Sequence, residues 1–328
     1  MKTDLTAESI QHMARAFSRS RVLLTAVELD IFTLLDTEPM TADEVAGRLG
    51  SNGRATTILL DALAAMGLVA KDDGRYHTVS SLVPFLTAGS ERSILPGLMH
   101  SAHLWKTWSQ LTDVVLEGGP AARPSGKGDG RVKAFIGAMH VRALRDAPDL
   151  VRTVGPGKAR HFLDVGGGSG SYTIGFLKAV PGMRATLFDL PEVIPMARER
   201  IGEEGLTDRV TFVAGDYNLD SLPGGHDLAL LSAIIHQNSH EQNTALYEKV
   251  CHALVPGGRL IVRDYVMNSD RTHPSSGALF AINMLVNTKS GNSYTFEEIV
   301  EGLTAAGFEN IRLLVDDEMS SLVEGYRA

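Results

Sequence analysis

The stretch HFLDVGGGSG, residues 161–170, decides how this chain folds. Five residues of strand character, His161-Phe162-Leu163-Asp164-Val165, run directly into Gly166-Gly167-Gly168-Ser169-Gly170, and a helix begins near Ser171. A strand, a glycine turn and a helix in that order let a ligand approach backbone atoms at the carboxyl end of a parallel strand, where nucleotide-like cofactors bind. The spacing selects among such cofactors. A dinucleotide loop reads G-x-G-x-x-G, whereas this one reads G-x-G-x-G with Asp164 two residues ahead, and serine stands at 171, where the third dinucleotide glycine would fall. The plainer alternative is a tight turn that binds nothing; the strand and helix on either side weigh against it.

Downstream of this stretch, strands alternate with helices, the pattern of a doubly wound α/β domain with a mainly parallel sheet. The strands are predicted at 161–165, 185–189, 210–214, 228–232, 259–266, 311–315 and 321–326. Asp189 closes the second strand, where a carboxylate accepts two hydroxyl hydrogen bonds from a ribose diol. Asp216 and Tyr217 close the third, a carboxylate and a flat ring that suit an adenine amino group and its face. His236 follows the apolar run 230–235 and so ends the fourth strand on the same sheet edge. A neutral imidazole there can take the proton of an attacking hydroxyl. Asp264, at the end of the fifth strand, can orient that imidazole through its other nitrogen. The competing reading of His236 is a cap for the following helix.

Upstream, apolar residues recur at helical spacing from Ile10 to Leu35 (Phe17, Val22, Leu23, Ala26, Val27, Leu29, Ile31, Leu34), predicting packed amphipathic helices. Thr41 and Glu44 form a capping-box pattern before a short helix. A second helix is predicted from Ala55 to Met66, followed by a hairpin around Asp72-Asp73-Gly74. Helix, turn, helix and hairpin make a winged helix-turn-helix over residues 1–90. Residues 91–150 read as a helical connector, with Trp105, Trp108, Leu111, Val114, Val115 and Leu116 at helical spacing, a glycine-rich loop at 121–130, and a further helix carrying Phe135, Ile136, Met139 and Leu144. Residues 151–328 are the cofactor-binding domain.

The composition narrows the function. The 328 residues, 44% hydrophobic and 21% charged, describe an ordinary folded protein of one large or two unequal domains. A single cysteine, Cys251, can form neither an intrachain disulfide nor a thiolate zinc site, which favours a reducing compartment. The start MKTDLTAESI has no apolar signal core, and no run of 18 apolar residues offers a membrane span, so we expect a cytoplasmic protein with no membrane partner. The net charge is -8, and residues 1–90 carry 8 Lys plus Arg against 11 Asp plus Glu. Such a wing repels phosphate, which argues against nucleic acid and against a DNA-binding regulator. His236 and His240 share a metal-site spacing, but neither a following glutamate nor a third ligand supports it, so no metal is expected.

With these motifs in hand, the sequence resembles the S-adenosylmethionine-dependent O-methyltransferases of the plant caffeate and acetylserotonin type and their bacterial natural-product relatives. The carrying residues are LDVGGGSG (163–170), FDLPEVI (188–194), VTFVAGDY (210–217), the strand end LLSAIIH (230–236), LVPGGRLIVRDYV (254–266) and AAGF (305–308). The resemblance implies a Rossmann-like class I methyltransferase domain with a seven-stranded, mainly parallel sheet, behind a mostly helical N-terminal winged-helix domain that forms a homodimer. It implies S-adenosylmethionine as cofactor, with the loop Gly166, Gly168 and Gly170 at its methionine end, Asp189 at the ribose and Asp216 with Tyr217 at the adenine, and Asp164, Leu190 and Ser232 as further cofactor-binding residues. It implies His236 and Asp264 as the catalytic pair and a small-molecule acceptor, aromatic or polyketide-like, met by Trp105, Phe135, Met139, His140, Asn283 and Met284. Trp105, Phe135, Met139, His140 and Met284 each read equally well as core residues. Three positions depart from the family: Gln237 replaces an aspartate, Ser293 a second acidic residue beside the base, and Ala281 a frequent acidic residue near the substrate. C-methylation or a non-methylating reaction on the same fold stays open, while an NAD-dependent oxidoreductase lacks its glycine.

Overall fold

The structure, a computed structural model, describes residues 5–90, 92–120, 143, 146–317 and 320–328. The described chain divides into two compact units, one running to Lys106 and the other comprising residues 107–120 and those from 143 onward.

The first unit contains α1 (Ala7–Arg15), α2 (Phe17–Glu28), α3 (Ile31–Thr37), β1 (Met40–Thr41), α4 (Ala42–Leu49), α5 (Gly53–Ala65), the hairpin β2 (Val69–Asp72) and β3 (Arg75–Thr78), α6 (Val83–Leu86) and most of α7 (Leu95–Trp108). The winged helix is present, and β1 adds a third strand, giving the order β1-β3-β2. The capping box forms as the sequence predicts: Glu44 N–H donates to Thr41 Oγ1 (3.3 Å) and Thr41 N–H to Glu44 Oε2 (2.7 Å). Phe32, Leu35, Val45, Leu60, Leu63, Val69 and Tyr76 make the core of the unit. The prediction of uniformly packed N-terminal helices needs correction. Leu24, Ala26, Val27 and Ile31 are buried, but α1 buries nothing, and Ile10 and Phe17 are 53% and 57% exposed. A helical period identifies an apolar face without saying whether its own chain covers it.

The second unit begins with the end of α7 and with α8 (Leu111–Glu117). It continues through β4 (His161–Val165), α9 (Ser171–Ala179), β5 (Arg184–Asp189), α10 (Ile194–Glu203), β6 (Val210–Ala214), β7 (His226–Ser232), α11 (His240–Ala253) and β8 (Leu254–Asp264). It closes with β9 (Val266–Met267), α12 (Ser275–Asn287), β10 (Tyr294–Thr295), α13 (Phe296–Ala305), β11 (Phe308–Val315) and β12 (Ser321–Arg327). Seven strands form one sheet in the order β11-β12-β8-β7-β4-β5-β6, with β12 alone reversed against its neighbours. The strands are apolar on both faces because helices cover both. Leu163, Val165, Leu231 and Val262 face a core shared with α11 and α13, while Phe162, Leu230 and Ile261 face Phe176 and Leu177 of α9 and the helical residues 146–154. Each such Leu or Phe contributes about 1.5–3 kcal/mol by leaving water.

The reversed strand carries a charge inside the sheet. Glu324 is fully buried, with one carboxylate oxygen on Arg259 and the other on Arg312. Beside it, Ser321 pairs with Asp264 in the register that fixes the end of β8. Removing one partner of a buried pair strands the other, so Glu324→Ala should cost about 3 kcal/mol, and Glu324→Gln less. Urea unfolding checks this; a loss under about 1 kcal/mol for the alanine variant would mean that the arginines find water instead.

Candidate active site

Every parallel strand of the sheet ends on one edge, and the chemistry suggested by the sequence gathers there. At the end of β4 the glycine turn is tight for identifiable reasons. A Cβ on Gly166 would stand 2.4 Å from Ile234, and one on Gly170 2.7 Å from Ile201, so these residues let the loop lie against its neighbours. Gly168, with φ +56, differs: open space surrounds its missing Cβ, which leaves room for a ligand against the backbone. Its N–H donates to Asp189 Oδ2 (2.7 Å), while Leu190 N–H donates to Asp189 Oδ1 (2.7 Å). The two bonds aim the carboxylate and leave each oxygen a lone pair for a diol. Burial still pushes the Asp189 carboxyl upward, opposed by those two N–H groups. Leu190 beside it is exposed, an apolar surface at the same mouth.

Asp164 lies beneath the loop, 1% exposed, where Thr173 Oγ1 donates to it at 2.6 Å. Burial pushes its carboxyl up to about 6, and the threonine bond only partly offsets that. Its place is under the turn, tying β4 to α9. Tyr217 is half-buried, and its ring carbon Cε1 lies 4.0 Å from where a Gly166 Cβ would stand, so the ring is near the glycine loop. Burial raises the Tyr217 hydroxyl to about 12, so it stays protonated. Asp216 accepts from Asn218 N–H (2.8 Å), closing its own turn. Ser232 ends β7, opposite Arg263 in the register.

His236 sits in the short turn after β7, behind Ala233, which holds a left-handed φ of +58 although it is not glycine. Strain of that kind is held in place by its surroundings. Ala233 N–H is taken by Arg263 O (2.9 Å), and the exposed Gln237 returns its amide to Ala233 O (3.2 Å). The imidazole Nδ1 lies 2.8 and 3.0 Å from the two oxygens of Asp264, which also accepts from Tyr265 N–H at 2.9 Å. A carboxylate that close makes Nδ1 the protonated nitrogen and leaves Nε2 with its lone pair. Phe280 meets the imidazole edge-on at 4.8 Å and stacks on Tyr265 at 4.3 Å.

The remaining positions divide. Ser293, 1% exposed, spends its hydroxyl on Gly277 O (2.9 Å). Asn283 and Met284 lie on α12, Met284 buried and Asn283 bonded to Trp108. Trp105 belongs to the other unit, against Phe17 and the Arg21 guanidinium. Phe135, Met139 and His140 lie outside the described residues. Sequence reasoning missed Gly291, whose missing Cβ would stand 2.4 Å from His236 O, and Asn292, whose N–H donates to that same carbonyl at 2.9 Å. Together they pin the histidine turn. The only available signal was a glycine in a loop, which is common.

Comparison with known proteins agrees with this architecture. Residues 11–82 match the O-methyltransferase dimerisation domain and residues 133–309 the O-methyltransferase domain. The 3-hydroxy-5-methyl-1-naphthoate 3-O-methyltransferase of Streptomyces sahachiroi is 31% identical, covering 92% of this chain and 89% of its own. The tetracenomycin polyketide synthesis 8-O-methyl transferase TcmO of Streptomyces glaucescens is also 31% identical, over 92% and 91%. A structure of PigF with SAH, 27% identical, superposes with a TM-score of 0.86 over 98% of this chain and 100% of that one. A dimerisation domain in front, a glycine-turn sheet behind and relatives spanning nearly the whole length leave one conclusion: the chain belongs to the S-adenosylmethionine-dependent O-methyltransferase family.

Proposed function

We propose that this enzyme methylates a hydroxyl of a small aromatic or polyketide-like acceptor, with His236 as general base and Asp264 as the group that orients it. The observation that carries the reading is the buried His236–Asp264 pair, in which Nδ1 is engaged by the carboxylate and Nε2 is the nitrogen left for the acceptor. S-adenosylmethionine would supply, when bound, a sulfonium methyl open to in-line attack by an oxygen nucleophile, the O–C bond forming as the S–C bond breaks and the sulfur leaves as the thioether of S-adenosylhomocysteine. The open face of Gly168 and the Asp189 carboxylate suit its methionine and ribose parts, and Tyr217 its adenine; Asp164 beneath the loop, Leu190, Asp216, Ser232, Gly166 and Gly170 complete the candidate set. His236 Nε2 takes the hydroxyl proton as attack proceeds. The charge that then appears on the imidazole is balanced by Asp264, held ready by Tyr265 N–H. Orientation rests on Asp264, because Ser293 lacks a carboxylate and its hydroxyl is used by Gly277. The aromatic acceptor class is supported by the naphthoate and tetracenomycin relatives.

The protein is further proposed to act as a homodimer through its N-terminal unit. Ile10, Met13 and Phe17, spaced i, i+3 and i+7, form an apolar edge left uncovered in one chain, within a segment that matches a dimerisation domain. Sedimentation should give twice the 35.3 kDa chain mass. A monomer at micromolar concentration would remove the dimer.

Asp189→Ala should weaken S-adenosylhomocysteine binding at least tenfold, about 1.4 kcal/mol, in calorimetry; unchanged affinity would refute the cofactor placement. His236→Ala should lower turnover by about 10² to 10⁴ with cofactor affinity retained, and Asp264→Asn by less in the same direction. The loss should shrink for an acceptor already ionised at assay pH. Equal turnover of wild type and His236→Ala on a high-pKa hydroxyl would reject the base and leave proximity as the source of rate.

A further inference from the structure

A helix that packs on a sheet keeps its buried face apolar, and α11 departs from this at one position. Asn243, Leu246, Tyr247 and Val250 fall at i, i+3, i+4 and i+7 and are all buried, Asn243 with 3% exposure. The orientation of its amide is settled by its surroundings. The Ile235 carbonyl, which can only accept, takes Asn243 Nδ2 at 2.8 Å, so Oδ1 is the atom that meets Asn238 Nδ2 at 3.0 Å. The net gain from such bonds is smaller than the gain a leucine would draw from burial in the same place. Stability alone does not account for an amide here. What the amide adds is direction, because a hydrogen bond aims its acceptor and an apolar contact does not.

The two groups that Asn243 engages lie on either side of His236. Ile235–Gln237 is a single 3-10 turn, closed by Asn238 N–H on Ile235 O at 3.3 Å, a longer bond than the one from Asn243 to the same oxygen. Other elements hold further carbonyls of the turn: Asn292 N–H takes that of His236 at 2.9 Å, and the Tyr294 hydroxyl of β10 takes that of Asn238. Burial raises the Tyr294 hydroxyl to about 12, so it remains a donor. The Ile235 carbonyl belongs to the peptide that leads into His236, and its direction sets where the imidazole can reach. Ala233, strained two residues earlier, gives the turn somewhere to relax if that carbonyl is released.

We propose that Asn243 is a positioning residue for His236: by holding the Ile235 carbonyl and the Asn238 side chain, it keeps the imidazole Nδ1 on Asp264. Asn243 acts through the backbone of the turn and needs no contact with acceptor or cofactor. Its effect on rate rests on the reading of His236 as base; its effect on the ring does not.

Nitrogen NMR of the full chain, labelled at histidine and saturated with S-adenosylhomocysteine, reads the tautomer of His236, with His236→Ala identifying its signal. The wild type should show Nδ1 protonated and Nε2 bare. Asn243→Leu, which removes the amide and leaves an apolar side chain, should raise the Nε2-protonated form to about a tenth of the ring or more. Asn243→Ala, smaller and equally without a donor, should do the same and decides the matter if the leucine does not fit. S-adenosylhomocysteine affinity, expected within twofold of wild type, reports that each variant is folded. On a phenol that the wild type methylates, Asn243→Leu should lower kcat about tenfold to hundredfold with KM nearly constant, and adding it to His236→Ala should change nothing further. An unchanged tautomer in both variants, loss of S-adenosylhomocysteine binding in both, or an equal loss of turnover in the His236→Ala background overturns the proposal. Failure of the base reading looks different: His236→Ala would then turn over like the wild type while the Asn243 variants still changed the tautomer of the ring.

Discussion

One ladder of parallel hydrogen bonds, running from β6 through β5, β4 and β7 to β8, decides where every reactive group of this enzyme stands. Parallel strands all finish at the same edge, so residues that end different strands become neighbours across strands about 4.8 Å apart. Asp189, the glycine turn, His236 and Asp264 are brought together in this way from a span running from Gly166 to Asp264. Register makes the arrangement exact to one residue, because a slip by one would turn each side chain to the opposite face. Burial on both faces resists such a slip, and the reversed β12, with Glu324 held between two arginines, secures the strand that ends in Asp264.

On that edge, steric limits do as much as polar contacts. Gly166 and Gly291 are places where a single methyl would collide, the first with Ile234 and the second with the His236 carbonyl. The histidine turn is thus gripped from two sides by backbone that passes unusually close to it. The left-handed Ala233 belongs to the same construction: a strained residue, retained because its own N–H is bonded to Arg263 O and its own carbonyl to the Gln237 amide. Close backbone approach aims the imidazole without relying on a flexible side chain.

Three carboxylates near the edge differ through their surroundings. Asp164, buried under the loop with one threonine bond, is raised to about 6 and serves as a tie between elements. Asp189 is aimed by two backbone N–H groups. Asp264 is enclosed with the His236 imidazole at Nδ1 and the Tyr265 backbone N–H. The residue type is the same in each case; the donors within reach differ, and with them the surroundings of each carboxylate.

The sequence by itself determined the local features of this protein. The alternation of strands and helices, the glycine turn after β4, the Thr41 capping box, the hairpin and the strand-ending Asp189 and Asp264 are all legible, because each depends on a period or a turn residue within a few positions; His236, read as the end of the fourth strand, instead follows β7 by four residues in a 3-10 turn. It did not determine partners. That Ser293 serves Gly277, that Gly291 and Asn292 pin the His236 carbonyl, and that Trp108 bonds Asn283 from 175 residues away were decided only by the tertiary structure. The exposure of Ile10 and Phe17 was decided there as well. The physical reason is common to all of these: a helical or strand period says which face is apolar, and a residue type says what it can donate or accept. Which atom comes to lie opposite depends on how distant segments pack, and no local pattern encodes that.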